Sequence, residues 1–265
     1  MSLSGQIVAI TGASGGLGRQ LAQQAAARGA RLALMARNET KLRELADEHG
    51  GNVLVFTGDV TSESDSKKFI EATVEKFEGL DHIIANAGQS MWANFEQIEN
   101  TELFRQLMEV NFMGVVNCIH PAIDALKKSG GQAVIVSSIQ SKFGVPAHSA
   151  YGASKHAIEG LVDSLRFELA DSGINFMVVY PHWIRGTGMR ENALGPDGEA
   201  IGDRKRNHSK ASIPADECAC KILDALLCRR KSLFIPSKLK YLPALKLLLP
   251  PVFHWLIRSK IKNQK

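Results

Sequence analysis

Ile7-Val8-Ala9-Ile10-Thr11-Gly12-Ala13-Ser14-Gly15-Gly16-Leu17-Gly18 joins an apolar run, a glycine-rich turn and the start of a helical stretch. An apolar run of this length reads as a strand covered on both faces, and glycines let the following turn be tight and open to close approach. The pattern repeats outward. Further runs fall at Leu32–Met35, Val53–Phe56, His82–Ala85, Ala133–Ser137, Phe176–Tyr180 and Ser232–Ile235. Helical stretches lie between them at 16–28, 39–49, 62–77, 101–127, 151–171 and 215–228, with Thr61 or Ser62 as an N-cap and Gly29 and Gly173 as stops. Strand and helix in alternation predict an α/β fold: a single Rossmann-type, doubly wound parallel sheet of about seven strands with helices on both faces. Ligands of such sheets bind beyond the carboxyl ends of the strands.

A glycine turn that opens a helix offers backbone N–H groups and the positive end of the helix dipole to a pyrophosphate. Gly12, Ser14, Gly16, Leu17 and Gly18 are therefore candidate dinucleotide contacts, although their spacing departs from Gly-x-Gly-x-x-Gly. About 20 residues on, where a carboxylate would accept the ribose 2′-hydroxyl of NAD, the chain has Arg37. An arginine binds a 2′-phosphate through charge-assisted hydrogen bonds, so NADP(H) is expected in preference to NAD(H). Gly15 leaves the turn without a second cation.

No Pro/Ser-rich linker or repeat divides the 265 residues, which read as one domain over 1–265. The net charge is +5, yet no Asp or Glu follows Asp224, so the body is acidic and the tail basic. That distribution gives no reason to expect nucleic acid as a partner. Cys118, Cys218, Cys220 and Cys228 have no zinc-site spacing, and no metal is expected; they read as reduced thiols. Met1-Ser2-Leu3-Ser4-Gly5 leads into the first strand without a signal-type stretch, so a cytoplasmic setting is expected. Residues 186–212, rich in Gly and polar groups, read as a mobile substrate loop. The 238–265 extension is apolar around Leu247-Leu248-Leu249 and Phe253–Ile257 and flanked by Lys and Arg, and Pro243, Pro250 and Pro251 argue against a transmembrane helix. Peripheral membrane contact and a cover for the pocket or a partner subunit both stay open for it.

Tyr151 and Lys155 stand four apart, on one face of a helix. An ammonium about 4 Å from a phenol in an effective dielectric of about 20 contributes roughly 4 kcal/mol, enough to bring proton exchange toward neutrality. This pair, with Thr11–Gly18, Asn86-Ala87-Gly88, Asn111 and Ser138, resembles the motif set of the short-chain dehydrogenases/reductases over residues 5–190, a core for cofactor binding and catalysis. The stretches Val136–Lys142 and Ala150–Glu159 are similar to the hydroxysteroid-dehydrogenase-like branch.

The resemblance implies that Ser138 orients the substrate oxygen, Tyr151 exchanges its proton, Lys155 lowers the tyrosine pKa and holds the nicotinamide ribose, and Asn111 holds a relay water. Ser137 is the better candidate for a turn cap, and Asn111 could instead satisfy a local helix distortion. Asn86, Ala87 and Gly88 would line the adenosine side, and Asp59 and Val60 would meet the adenine; turn chemistry alone is the alternative for both. After the sixth strand the family has Pro-Gly, then a hydrophobic residue and a threonine; here Pro181-His182-Trp183-Ile184-Arg185-Gly186-Thr187 departs from it. Pro181 and Ile184 keep their expected cofactor contacts, the threonine contact is in doubt, and His182 and Trp183 become candidates for the substrate wall.

The expected protein is an NADP(H)-dependent oxidoreductase interconverting a secondary alcohol and a ketone, on a lipophilic substrate such as a steroid, retinoid or keto-lipid. The alternatives are a reductase of the 3-oxoacyl-carrier-protein type and a non-catalytic dinucleotide sensor. Helices 101–127 and 151–171 resemble those through which family members pair, so a homodimer or homotetramer is expected.

Overall fold

The computed structural model describes residues 2–202 and 212–262. Its central sheet has seven parallel strands in the order β3-β2-β1-β4-β5-β6-β9. These are β1 Ile7–Thr11, β2 Arg31–Ala36, β3 Val53–Thr57, β4 His82–Ala85, β5 Gln132–Val136, β6 Asn175–Pro181 and β9 Ser232–Ile235, each within a residue or so of its expected position. Between β6 and β9, the two-residue strands β7 Ile184–Arg185 and β8 Ile213–Pro214 pair with each other.

The strand order reverses between β1 and β4, so the chain leaves those neighbours in opposite directions and opens a crevice at their carboxyl ends. Helices α1 (Gly16–Ala27), α2 (Glu39–Asp47) and α8 (Ala215–Leu227) bury Leu21, Leu42, Leu45 and Ile222 on one face of the sheet. The other face carries α3 (Glu63–Phe77), a segmented helix from Glu102 to Ser129 and α7 (Ser149–Glu168), which bury Phe69, Ile119, Leu126 and Ile158. The caps are local: the side chains of Ser62 and Asn38 accept from Asp65 N at 3.1 Å and Lys41 N at 3.0 Å.

Two features depart from the expected pattern. The helix over 101–127 is not continuous: α4 (Glu102–Met108) passes through a π turn at Glu109–Met113 into α5 (Gly114–Ile119), and a 3₁₀ turn around Pro121 precedes α6 (Ile123–Ser129). Proline cannot donate to the ladder, and a π turn swings one buried polar side chain out of register. The loop after β7 bonds back to the segment after β4 where it is described, a pairing not expected there: Trp92 N donates to Leu194 O at 2.8 Å and Leu194 N to Ser90 O at 2.9 Å. Residues 203–211 of that expected substrate loop lie outside the described residues.

After β9 come a 3₁₀ turn (Ser237–Tyr241), α9 (Leu242–Leu248) and α10 (Pro250–Lys262). Leu239 and Phe253 pack on Ile139 and Phe143 just past β5, with the Phe143 and Phe253 rings 5.2 Å apart. Among the described residues no helix is long and apolar enough to cross a membrane.

Candidate active site

A cavity of about 950 Å³ fills the crevice. Of the residues expected there, Gly12, Ser14, Gly16, Leu17, Arg37, Asp59, Val60, Asn86, Ala87, Gly88, Ser138, Tyr151, Lys155, Pro181 and Ile184 all reach its wall. Gly18 and Asn111 do not; they stand one layer behind.

At one end the glycine turn meets α1, whose Gly15 N-cap position has no side-chain cap and whose first turn holds no acid. That leaves an uncompensated positive helix end facing the cavity, which fits the pyrophosphate of a dinucleotide. The glycines are needed for packing: a Cβ on Gly18 would lie 2.1 Å from Gly12 O, and one on Gly16 2.7 Å from Thr187 O. Thr187, one place later than the family pattern, thus packs its backbone against the turn. Asn86 is spent inside the protein, its amide donating to Thr11 O at 3.0 Å, while Thr11 Oγ1 accepts from Asn86 N and Ala87 N. Beyond β2 and β3, Arg37 Nη1 stands 3.8 Å from Asp59 Oδ2. Lys41, from the first turn of α2, lines the same end.

At the other end, Ser138, Tyr151 and Lys155 are buried. Ser138, rather than Ser137, caps the short 3₁₀ turn Ile139–Ser141, accepting from Gln140 N at 3.1 Å, and it lines the same cavity wall as the Tyr151 phenol. Ser137 Oγ is buried without a partner among the described residues, because the extended backbone at Ser138 is the one that turns into the 3₁₀ geometry. Lys155 Nζ donates to Val136 O at 3.1 Å and lies 5.8 Å from the centre of the Tyr151 ring.

The expected lowering of the tyrosine pKa is overturned. Burial pushes Tyr151 up to about 12, with the nearby Ser138 hydroxyl opposing it, and burial brings Lys155 down to about 8. Attraction between the two groups entered the sequence reading; the cost of taking both out of water did not, and it dominates. Tyr151 is therefore held as a protonated phenol at neutral pH.

Asn111 sits in the π turn, fully buried. Its Oδ1 accepts from Gln89 N at 2.8 Å, and its Nδ2 donates to Gln89 O at 2.9 Å and Ser154 Oγ at 3.0 Å. These partners lie outside the distorted helix itself, so the amide anchors the Gly88–Gln89 segment to α7 in the layer below Tyr151. Gly88 is the spacer, since a Cβ there would stand 3.1 Å from Asn111 Oδ1 and 3.6 Å from Lys155 Nζ.

The segment carrying Ser138 is tied to α7 from behind. Glu159 accepts from Lys142 Nζ at 2.6 Å and from Tyr180 OH at 3.0 Å, while the single Ser141 hydroxyl proton has two acceptors in reach, Glu159 Oε1 at 2.6 Å and Ser138 O at 2.8 Å. Glu159 lies on the same helix as Tyr151 and Lys155. One carboxylate thus connects the helix bearing the phenol to the turn bearing the serine.

Sequence reasoning missed much of the remaining wall. The His148 ring stands 4.9 Å from Trp92, 5.7 Å from Trp183 and 6.3 Å from Tyr151. Ala147, at a φ of 62°, brings His148 to the start of α7, its carbonyl accepting from Ala93 N at 3.1 Å. Only Trp183 of this group was legible, through its place after β6; His182 also lines the cavity. Leu239, Leu242, Leu256 and Ile257 close the cavity from the C-terminal extension, in keeping with a pocket cover.

A Rossmann-type crevice with a dinucleotide-shaped end and a buried Ser–Tyr–Lys end defines a nicotinamide-dependent oxidoreductase. The family model for short chain dehydrogenase matches residues 6–196. The chain is 36% identical to 11-beta-hydroxysteroid dehydrogenase A of Arachis hypogaea over 97% of its own length and 76% of that protein. With 11-beta-hydroxysteroid dehydrogenase 1A of Arabidopsis thaliana it shares 32% identity over 96% and 75% of the two chains. The fold is similar to that of a short chain dehydrogenase from Burkholderia cenocepacia solved in complex with NADP, with a TM-score of 0.79 at 24% identity over 97% of this chain and 99% of that one. The chain belongs to the short-chain dehydrogenase/reductase family, in its hydroxysteroid-dehydrogenase-like branch. It is an oxidoreductase acting on CH–OH groups with a nicotinamide dinucleotide.

Proposed function

We propose that the protein is an NADP(H)-dependent dehydrogenase/reductase interconverting a lipophilic secondary alcohol and its ketone, with Ser138, Tyr151 and Lys155 as the catalytic set and Asn111 as their support. The observation that carries this reading is the gathering of buried Ser138, Tyr151 and Lys155 on the wall of the cavity that the glycine turn also lines, with Lys155 on the same helix as Tyr151 and its Nζ 5.8 Å from the centre of the Tyr151 ring. A nicotinamide dinucleotide held by the glycine turn and the Asn86–Gly88 segment would supply or accept the hydride. Tyr151, protonated at neutral pH, gives its proton to the carbonyl oxygen in reduction. The Ser138 hydroxyl orients that oxygen and donates to it as charge develops. Lys155 keeps a cation beside the phenol, opposing the loss of stability that a buried phenolate would suffer. Trp92, Trp183, His148 and the C-terminal leucines exclude water from the reacting carbon.

Arg37 and Lys41 at the coenzyme end support NADP(H) over NAD(H), as does the similarity to a fold solved with NADP. The names of the relatives and the closed aromatic and aliphatic wall support a steroid, retinoid or keto-lipid over a small acyl thioester. The complete Ser–Tyr–Lys set favours an enzyme over a dinucleotide sensor. We read residues 1–265 as one functional unit and as a cytoplasmic homodimer or homotetramer; the exposed Phe167 on α7 supports pairing through that helix. Leu247, Leu248, Leu249 and Trp255 are exposed beside Lys246 and Arg258, which supports a peripheral membrane contact. Because the extension also walls the pocket, that contact is tested by Leu247→Ser/Leu248→Ser/Trp255→Ser rather than by truncation. Unchanged binding to anionic vesicles refutes it.

The function itself is tested by turnover of lipophilic ketones and alcohols with NADPH and NADH. Reduction of steroid or long-chain ketones with NADPH supports the reading. Better turnover of 3-oxoacyl thioesters, or coenzyme binding without any turnover, removes it.

A further inference from the structure

Arg190 lines the cavity with its guanidinium carbon 4.7 Å from the centre of the Trp183 ring. Among the described residues its buried Nη1 has no hydrogen-bond partner and Arg190 forms no ion pair. Its sequence neighbour Glu191 acts on it only at a distance, while burial disfavours its charge. A buried guanidinium N–H without an acceptor is costly, and stacking on an indole compensates only part of that cost. Such a group is kept where an acceptor arrives with a ligand.

The surroundings say which ligand. Asp59 is the one carboxylate among the described residues lining the cavity. It stands at the coenzyme end, where Thr61 and Arg37 already engage it. Arg190 belongs to the opposite half, because Trp183 beneath it stands 6.4 Å from Trp92 and 5.7 Å from His148, whose ring is next to Tyr151. Lys238, next to the wall residue Leu239, adds a second cation to the lining. The substrate half is thus apolar and aromatic, with positive charge and no negative charge of its own among the described residues.

We propose that Arg190 is a specificity-determining residue that accepts an anionic group of the substrate, so that the preferred substrate has a lipophilic body carrying a carboxylate at a distance from its ketone or alcohol. This rests on the dehydrogenase reading given above and names the substrate class within it. The planar fork of arginine donates to a carboxylate, and Trp183 holds that plane in place.

The test uses mid-chain oxo fatty acids that differ in the spacing between ketone and carboxylate, each beside its methyl ester, with NADPH and the full chain. One acid of the set should be reduced with a kcat/KM about 10-fold or more above that of its ester, as expected for a charge-assisted bond in a partly dry site. Arg190→Gln should bring that ratio close to one, Arg190→Lys should keep part of it, and the Kd for NADPH should be the same in all three proteins. Thermal unfolding with NADPH bound identifies a variant that does not fold, and Arg190→Lys then carries the comparison. Equal use of acid and ester by the unaltered protein, a ratio that survives Arg190→Gln, or a weakened Kd for NADPH that would assign Arg190 to the coenzyme, each overturns the proposal. Absence of turnover with every acid, ester and neutral ketone is a different result, and it removes the dehydrogenase reading itself.

Discussion

Replacing Lys155 by methionine separates what the charge does for catalysis from what it costs the fold. The side chain is 3% exposed, and burial lowers its pKa from 10.5 to about 8. A fall of that size corresponds to about 3 kcal/mol of instability in the charged state, at about 1.4 kcal/mol for each tenfold change. The sign follows from proton binding. Between the two pKa values the unfolded chain holds more protons than the folded one, so stability rises with pH through that window and is lost as pH falls through about 8. At about pH 7 nearly the whole cost is present, and at about pH 9.5 it has shrunk to between 1 and 2 kcal/mol, a change of roughly 2 kcal/mol. Methionine fills a similar volume but does not titrate, and the lost bond to Val136 O is the same at both values. Urea unfolding of the coenzyme-free proteins at the two pH values should show the original chain gaining about 2 kcal/mol on Lys155→Met as pH rises. A difference between the two proteins that does not change with pH would refute the claim that Lys155 is a buried, charged group at neutrality.

Arg37→Glu should weaken NADPH by about tenfold or more and leave NADH little changed, the exposed position of Arg37 limiting the effect; fluorescence titration of both coenzymes checks it. Glu159→Leu should cost about 2–3 kcal/mol by leaving Lys142 and Tyr180 without their acceptor and Ser141 with Ser138 O alone, and should lower kcat more than it changes the Kd for coenzyme; unchanged urea midpoints would show that the network adds nothing. Ala147→Gly should be neutral or stabilising by up to about 1 kcal/mol, since the left-handed backbone there suits glycine, and a clear loss would contradict the local geometry.

Local chemistry makes the scaffold readable in the sequence. Continuous apolar runs located all seven strands of the main sheet, and Ser62 declared its helix start. The glycine turn and Tyr151–Lys155 stood in single short segments, so their shared cavity followed from strand order alone. What stayed hidden depends on distance in sequence. Trp92, His148 and Trp183 come from three segments and meet only through folding. The choice of Ser138 over Ser137 as cap, and of Asn111 as an anchor set in a π turn, was decided by backbone geometry at one or two residues. Pro121 was visible and should have broken the expected 101–127 helix; Arg190 gave no signal in a polar loop. The tyrosine pKa went the other way because burial is a tertiary property.

In the proposed reaction the Tyr151 hydroxyl supplies the proton, and the hydride comes from a nicotinamide coenzyme in the same cavity. Tyr151→Phe removes one oxygen atom from an otherwise unaltered wall. Single-turnover reduction of a lipophilic ketone by this variant, at saturating NADPH, should fall by about a hundredfold or more, with the Kd for NADPH unchanged. A rate within a few-fold of the original chain would contradict the account.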